Sequence, residues 1–510
     1  GTRRHRHGAR GCCSGCSLRL TAAGRGEARC HGRTSSRTRM PRRRAHMYAM
    51  GAVGAAVLVL VLASGWSGSR CRCCAAEGDG GVAGAQGGGN QAEKRYHYSV
   101  KYHTADGEEL RGNEVRRADH FKAAMERRSW WEPTNGTNYD LFVAPSCKTA
   151  GYGDASSILN ASTKDFILVN RFHSTSVKKT IKDKIPVSET LNKYSEERGE
   201  RPSWWPETFP CRNSEEFEQQ LPELQAAFSR YAAKEEDNNE RNTLQGKMWI
   251  VKGKQHGAQQ IDLFDDYQEL EDRMKEMIVE EELLAQKYIE KPLLIDGSKF
   301  DLRMYVLVSS DRKVHLYREG EVKVCATQYS LGSTEKNVHI TNNKIQKLEK
   351  NYDNTQHMLS TDDLEGRVAR ADFHWHTAFG KIKEVAREYF LDVMVDTLIE
   401  REPTKGSFYL FGMDVIFDED LNVYLLEVNH CPGLCNRYCS EYLGILYNKM
   451  HEDIVRTVVD PLFPPPEGIL AFWPHALSEN GFVPVTAPQQ SNDVMSKAKS
   501  FFQSLFHTEL

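Results

Sequence analysis

Two carboxylates and a carboxamide, Asp414, Glu427 and Asn429, lie in a stretch that reads as a β-hairpin: residues 408–434, FYLFGMDVIFDEDLNVYLLEVNHCPGL. Strand side chains alternate faces, so Glu427 and Asn429 point the same way. A turn centred on Asp420 and Leu421 sets Asp414 opposite Glu427. Like charges so placed repel, and a cation between them relieves the repulsion. Two carboxylates and an amide oxygen are hard donors of the kind that Mg2+ takes where phosphate oxygens complete its shell. The plain alternative is a hairpin whose acids face water.

Three further constellations could do chemistry. Trp249-Ile-Val-Lys252 reads as a strand ending in a lysine, followed by the loop Gly253-Lys-Gln-His-Gly257. A lysine there can neutralise phosphate oxygens while loop amides approach them. In Lys299-Phe-Asp-Leu-Arg303, alternation puts Lys299, Asp301 and Arg303 on one face, with Phe300, Leu302 and Met304 on the other. An internal salt bridge on a wet face explains that run as well as an anion site does, although Arg suits a bidentate grip on phosphate or carboxylate. His339-Ile-Thr-Asn342 follows a loop around Gly332 and could simply cap the next segment.

The elements that must hold these groups are legible from about Glu93 onward. Short apolar runs at 139–143 and 166–169 predict strands. Residues 214–233 predict a helix with Phe217, Leu221, Leu224, Phe228 and Tyr231 on one face, and Pro222 marks a kink or restart. Residues 235–246 are polar and loop-like. Strands are expected at 248–251, 282–289, 300–308 and 314–317, and helices at 266–277 and 377–401. A short amphipathic helix is expected at 496–510, with Phe501, Phe502, Leu505 and Phe506 near one face. No internal repeat is visible.

Composition bounds the class. The 510 residues are 40% apolar and 27% charged, as in a soluble globular protein. The net charge of −3 conceals an asymmetry: residues 1–46 carry thirteen Arg against one acid, Glu27, so the remainder is clearly acidic. That argues against a general nucleic-acid binder. Arg42-Arg43-Arg44, an apolar run at 50–63 and the small residues up to Ala76 resemble a signal peptide or signal-anchor at 42–76, with 47–66 as the membrane segment. A translated upstream or low-complexity region with no role is the other reading. Residues 78–89 read as a Gly-rich linker. Seven of the thirteen Cys precede residue 75; the rest, including Cys431, Cys435 and Cys439, lack paired zinc-ligand spacing and suit free thiols in a reducing compartment. The sequons at Asn135 and Asn160 matter only for a secreted chain. The expected division is 1–92 leader and linker, without packed structure; 93–245 N-terminal and central lobes; 246–475 nucleotide- and metal-binding part; and 476–510 tail.

Taken together, the motifs resemble the tubulin–tyrosine ligase-like family, over about residues 120–465. The strings that carry the resemblance are WPETFP (205–210), WIVK (249–252), QKYIEKPLLIDGSKFDLRMYVLV (286–308), NVHITN (337–342) and LFGMDVIFDEDLNVYLLEVNHCPGL (410–434), in the family's order. The resemblance implies an α/β (α+β) ATP-grasp fold with mixed and antiparallel sheets flanked by helices. It implies ATP and Mg2+ as cofactors and an acyl-phosphate route that joins an amino acid (glutamate, tyrosine or glycine) to a protein carboxylate. It implies tubulin or microtubules and a free amino acid as partners, action at the cytoskeleton or cilium, and a monomer.

By that resemblance Gln286, Lys287, Tyr288 and Ile289 hold adenine, Lys252 and Lys299 meet the phosphates, and Asp301 contacts the ribose or nearby groups. Arg303, Lys323 and Asn342 surround the γ-phosphate and reacting carboxylate, beside His339 and Thr341. Asp414, Glu427 and Asn429 ligate Mg2+. EVNHCPGL leans toward polyglutamylases. The basic run 178–184 is a candidate for steering an acidic tail, with a solvated surface as the default. Three departures stand out. Lys252 is followed by Gly253 where the family has Pro; Gln259-Gln260 replace a Gly; and Lys323 stands where the family has Arg, which keeps the charge and loses the fork. They leave open a catalytically degenerate ATP-grasp protein that acts as a tubulin-binding module. A small-molecule peptide ligase is a third reading.

Overall fold

Four short strands open the folded part, and the two continuously apolar ones, Leu141–Val143 and Leu168–Val169, suit a parallel sheet covered on both faces. The four are β1 (Tyr96–Val100), β2 (Trp131–Pro133), β3 (Leu141–Val143) and β4 (Leu168–Val169), paired in parallel in the order β2-β1-β3-β4. The helix Asn113–Glu126 makes the crossover and buries Phe121, Ala124 and Met125. In this computed structural model the described residues are 95–103, 109–144, 166–170, 180–236, 246–254, 260–309, 311–394, 406–430, 432–434, 441–466 and 479–485, with Gly107, Ile158 and Lys164 besides. All belong to the unit Gly87–Leu510. The 42–76 segment, the 78–89 linker, Cys431, Cys435, Cys439 and the 496–510 helix lie outside the described residues.

A second, antiparallel sheet joins β5 (Thr208–Cys211), β6 (Trp249–Gly253), β7 (Ile261–Phe264) and β8 (Leu283–Lys287) in the order β5-β8-β6-β7. Alternation sends Phe209, Cys211, Trp249, Val251, Leu283 and Ala285 to one face. There they meet Phe217, Leu224 and Phe228 of helix Ser214–Glu236, and Leu270 and Met274 of helix Tyr267–Ile278. Asp266 starts the latter helix, accepting from the amides of Gln268 and Glu269 at 2.8 and 3.0 Å. The first helix does not restart at Pro222; it runs on with Pro222 inside. Apolar residues on both sides of the proline are buried in the same core, and that packing overrides one lost backbone bond.

The third sheet has eight strands: β9 (Leu294–Ile295), β10 (Ser298–Ser309), β11 (Val314–Tyr317), β12 (Glu321–Val324), β13 (Met358–Ser360), β14 (Phe408–Phe417), β15 (Val423–His430) and β16 (Phe482–Pro484). β10 is its spine, antiparallel to β12 and β11 on one side and to β9 and β14 on the other. Phe300, Leu302, Met304, Val306 and Val308 enter the largest core, with Ile382 and Val385 of helix Trp375–Arg387. That helix begins two residues earlier than expected and continues in wider turns through Val393; the rest of the expected 377–401 helix lies outside the described residues. The opposite face of β10 changes character along its length. Tyr305 and Leu307 meet β1, β3 and helix Glu441–Ile454 in a second core, whereas Lys299, Asp301 and Arg303 border a cavity. No helix among the described residues is long and apolar enough to cross a membrane.

One buried cation ties the first lobe to the C-terminal helix. The guanidinium of Arg128 donates to Glu452 at 2.9 Å and to Asp460 at 2.7 and 2.8 Å, with its side chain fully buried. Arg128→Met should destabilise the fold by about 3–5 kcal/mol, since it strands Asp460 beside an apolar core and leaves Glu452 with Arg127 alone. Urea unfolding measures it, and a loss below about 1 kcal/mol would show the clamp to be dispensable.

Candidate functional site

The free face of the second sheet looks across a cavity of about 640 Å³ at the charged end of the third. Ile250, Lys252, Leu284 and Gln286 come from β6 and β8; Asp301, Arg303, Lys323 and Asp414 come from β10, β12 and β14. All fifteen residues singled out from the sequence border this one space.

The hairpin register is as expected, but by a different route. Asp414 faces Glu427, and Gly412 faces Asn429. The turn is a three-residue loop, Glu419 to Leu421, with Leu421 at φ +62 and the Asp418 carboxylate accepting from the amides of Asp420 and Asn422 at 3.0 and 2.8 Å. A β-bulge at Leu426 then supplies the one-residue offset. Its consequence is large. Val423, Leu425 and Val428 all enter the main core, so the bulge turns Glu427 and Asn429 out of that core and into the cavity.

Charges on the third sheet form a closed chain. Arg303 grips Asp414 with two nitrogens, the second bond at 2.7 Å. Lys323 lies between Asp414 and Asp301 at 3.2 and 3.0 Å, and the Thr341 hydroxyl donates to the other Asp301 oxygen. Burial pushes the Asp414 carboxyl up, but Arg303 and Lys323 more than reverse that and hold it down at about 2. Burial opposes the charge on Arg303, and Asp414 overcomes it and holds the guanidinium well above its ordinary value. Asp301 thus holds the Thr341 loop by a hydrogen bond at one oxygen and Lys323 by an ion pair at the other, which is buried and accepts no hydrogen bond.

The other end of the cavity is built from neutral partners and desolvated lysines. Lys252 donates to Gln286 Oε1 at 2.6 Å, and Gln286 donates to the Thr208 hydroxyl at 2.8 Å. Lys299 donates to the Tyr288 hydroxyl at 2.6 Å, which also bonds His339 Nδ1 at 2.9 Å. Burial brings both Lys252 and Lys299 down to about 8, and brings His339 down to about 4 with help from Lys299. Strand alternation sends the Lys287 side chain the other way, to the Met248 carbonyl at 2.9 Å and to Glu290. Ile289 follows just beyond the end of β8. Asn342 does cap a helix, accepting from the Lys344 amide at 2.9 Å while still bordering the cavity.

Two groups escaped the sequence reading. Lys184, read as part of a surface patch, opens helix Lys184–Arg198, and its ammonium donates to the Gly253 carbonyl at 2.8 Å on the cavity wall. Glu321 also lines the space; the alternation Glu321-Val-Lys323-Val was the available signal.

Apart from Lys287, whose ammonium turns away to Glu290, eight Lys and Arg residues border the cavity against four carboxylates, an imbalance that suits a polyanion. Glu427 and Asn429, joined by a 2.8 Å bond, offer oxygen donors fitting Mg2+ in the presence of phosphates, and Asp414 opposite them joins only by sharing oxygens already held by Arg303 and Lys323. Among the described residues no three His, Cys, Asp or Glu side chains converge as a metal cluster, so any divalent ion here relies on the amide and on ligand oxygens.

The sequence model of the Tubulin-tyrosine ligase family matches residues 160–467. The chain is 31% identical over 189 residues to Tubulin glycylase 3B of Drosophila melanogaster, covering 35% of the chain and 24% of that protein. It is 32% identical over 201 residues to human Tubulin polyglutamylase TTLL6, covering 35% and 22%. It is 33% identical over 175 residues to human Tubulin monoglutamylase TTLL4, covering 30% and 14%. The matched segment thus spans a quarter or less of each of these relatives.

Protonated Lys252 and Lys299 are what an anion needs. A bound polyphosphate raises their depressed pKa values, so binding takes up protons near pH 8, and affinity falls as pH rises through about 8. Calorimetry with tripolyphosphate from pH 7 to 9.5, in buffers of different ionisation enthalpy, should show that uptake; pH-independent affinity would remove these lysines from the anion site.

Proposed function

The chain belongs to the Tubulin-tyrosine ligase family, and from that premise we propose that it is an ATP-dependent ligase joining an amino acid to a carboxylate on tubulin tails. One observation carries the reading: two sheets face each other across a cation-rich cavity bordered by all fifteen residues that the family resemblance assigns. The relatives act on tubulin as glycylases and glutamylases at near-equal identity, so glycine and glutamate are the amino acids to test first.

In this reading Ile250, Leu284, Tyr288 and Ile289 enclose the base, and Lys252 and Lys299 take the phosphates. The acceptor carboxylate attacks the terminal phosphorus, ADP leaves, and an acyl-phosphate results. Once the α-ammonium has released one proton to solvent, its neutral nitrogen bonds the acyl carbon, the acyl carbon–phosphate oxygen bond breaks, and the second proton leaves with inorganic phosphate. Both steps crowd anions together. Arg303 and Lys323 supply fixed positive charge, already oriented by Asp414 and Asp301, so little reorganisation accompanies reaction. Mg2+ would be held by Glu427 and Asn429, with Asp414 as third donor, and would offset phosphate charge. Apolar walls at Ile416 and Leu425 keep water from the acyl-phosphate.

Incubating the full chain with tubulin, ATP, Mg2+ and a panel of amino acids, followed by mass spectrometry of the tails, tests the proposal. ATP binding without incorporation would favour the degenerate binding module. Glu427→Gln should abolish incorporation and leave the circular dichroism unchanged; retained incorporation would remove Glu427 from the metal site. Lys299→Ala should mainly weaken ATP binding, about ten- to a hundredfold for a lost charge-assisted contact. An unchanged affinity for ATP would exclude Lys299.

A further inference from the structure

Four carboxylates border the cavity, and they are not equally matched. Asp301 and Asp414 share Lys323 and Arg303, and Glu427 bonds Asn429. Glu321 differs. It is only 5% exposed, it lines the cavity, and it takes part in no ion pair among the described residues. One of its oxygens accepts from the hydroxyls of Tyr305 and Tyr447, the second bond at 2.7 Å. Two neutral phenols orient a carboxylate without neutralising it, and the facing cation, Arg303, is gripped by Asp414, so Arg303 and Lys323 together serve three carboxylates, Asp301, Asp414 and Glu321. A buried charge left in that condition is costly unless something positive joins it.

Position narrows what that something is. Along β10, Lys299 lies by Tyr288, Asp301 comes next, and Arg303 stands opposite Glu321 on β12. Beyond Arg303 the same face closes over Tyr305 into apolar core. Glu321 is therefore level with Arg303, where the charged face of the sheet gives way to apolar core. A nucleotide phosphate is repelled there. A lone carboxylate also makes a poor divalent site. A primary ammonium fits: it is compact and cationic, and it donates up to three hydrogen bonds.

We propose that Glu321 is the subsite for the α-ammonium group of the incoming amino acid. The inference rests on the ligase reading and names a residue for its second substrate. Glu321 holds the amine beside Arg303 and Lys323, where the acceptor carboxylate is activated, and Tyr305 and Tyr447 fix the direction of its oxygens.

The test separates the two ideas. Full-length wild type and Glu321→Gln are compared with tubulin, ATP and Mg2+, using either glutamate or glycine, or hydroxylamine, a neutral nucleophile that captures an acyl-phosphate as a hydroxamate. The glutamine retains an oxygen for both tyrosines. The expected result is a KM for the amino acid raised about ten- to a hundredfold, with hydroxamate formation and the KM for ATP within about twofold of wild type. Tyr447→Phe, which loosens the clamp but keeps the charge, should shift the amino acid KM far less. An unchanged amino acid KM in Glu321→Gln overturns the inference and leaves the ligase reading standing. Parallel loss of hydroxamate and amide overturns it too, by making Glu321 structural, as does an equal effect of Tyr447→Phe. Wild type yielding neither product overturns the ligase reading, and the inference with it.

Discussion

The paired grip of Arg303 on Asp414 is the contact on which the site depends. It joins β10 to β14 at the point where one face of the sheet passes from apolar core to charged cavity. Either ion alone would be costly so far from water. Together with Lys323 and Asp301 they form a chain in which each charge is answered, and the chain fixes the cations before any ligand arrives. That pre-orientation is what a site for phosphoryl chemistry requires, because stabilising charge is most effective when it need not move.

The second sheet adds the opposite kind of wall. Its cavity face carries lysines that lean on neutral partners: Lys252 on Gln286, and Lys299, from across the space, on Tyr288. Desolvation without a paired carboxylate explains why these two are brought down to about 8. One end of the cavity therefore has satisfied ions and the other has unsatisfied positive potential. A polyphosphate that spans the two meets attraction first where the protein is most electrically incomplete. Lys323 also bears on the departure from Arg in the family: an ammonium reaches both Asp301 and Asp414 without a fork, so the position keeps its charge and serves as an internal tie.

Much of this was legible. The strict alternation in residues 299–304 placed Lys299, Asp301 and Arg303 on one face, and the structure does so too. The strand ending at Lys252 and the helix beginning at Asp266 were read from local signals, and both stand. What failed was local reasoning about residues whose state is set by distant ones. Pro222 marked a kink or restart, yet a core on both sides carries the helix through it without a restart. Lys184 looked like surface until its helix was laid against β6. Glu321 was not singled out at all, since its setting comes from Tyr305 and Tyr447, the latter far along the chain.

The hairpin marks the boundary between the two kinds of knowledge. The sequence by itself determined which residue types could bind a hard cation, that two acids would oppose each other, and that the chain would fold as mixed helix and sheet, because those follow from side-chain chemistry and a period of two. Only the tertiary structure decided which way Glu427 points. A straight strand would have driven it into the core with Val423 and Leu425. The three-residue turn and the bulge at Leu426 rotate it outward, since burying Val428 against the core is favourable and burying a carboxylate there is not.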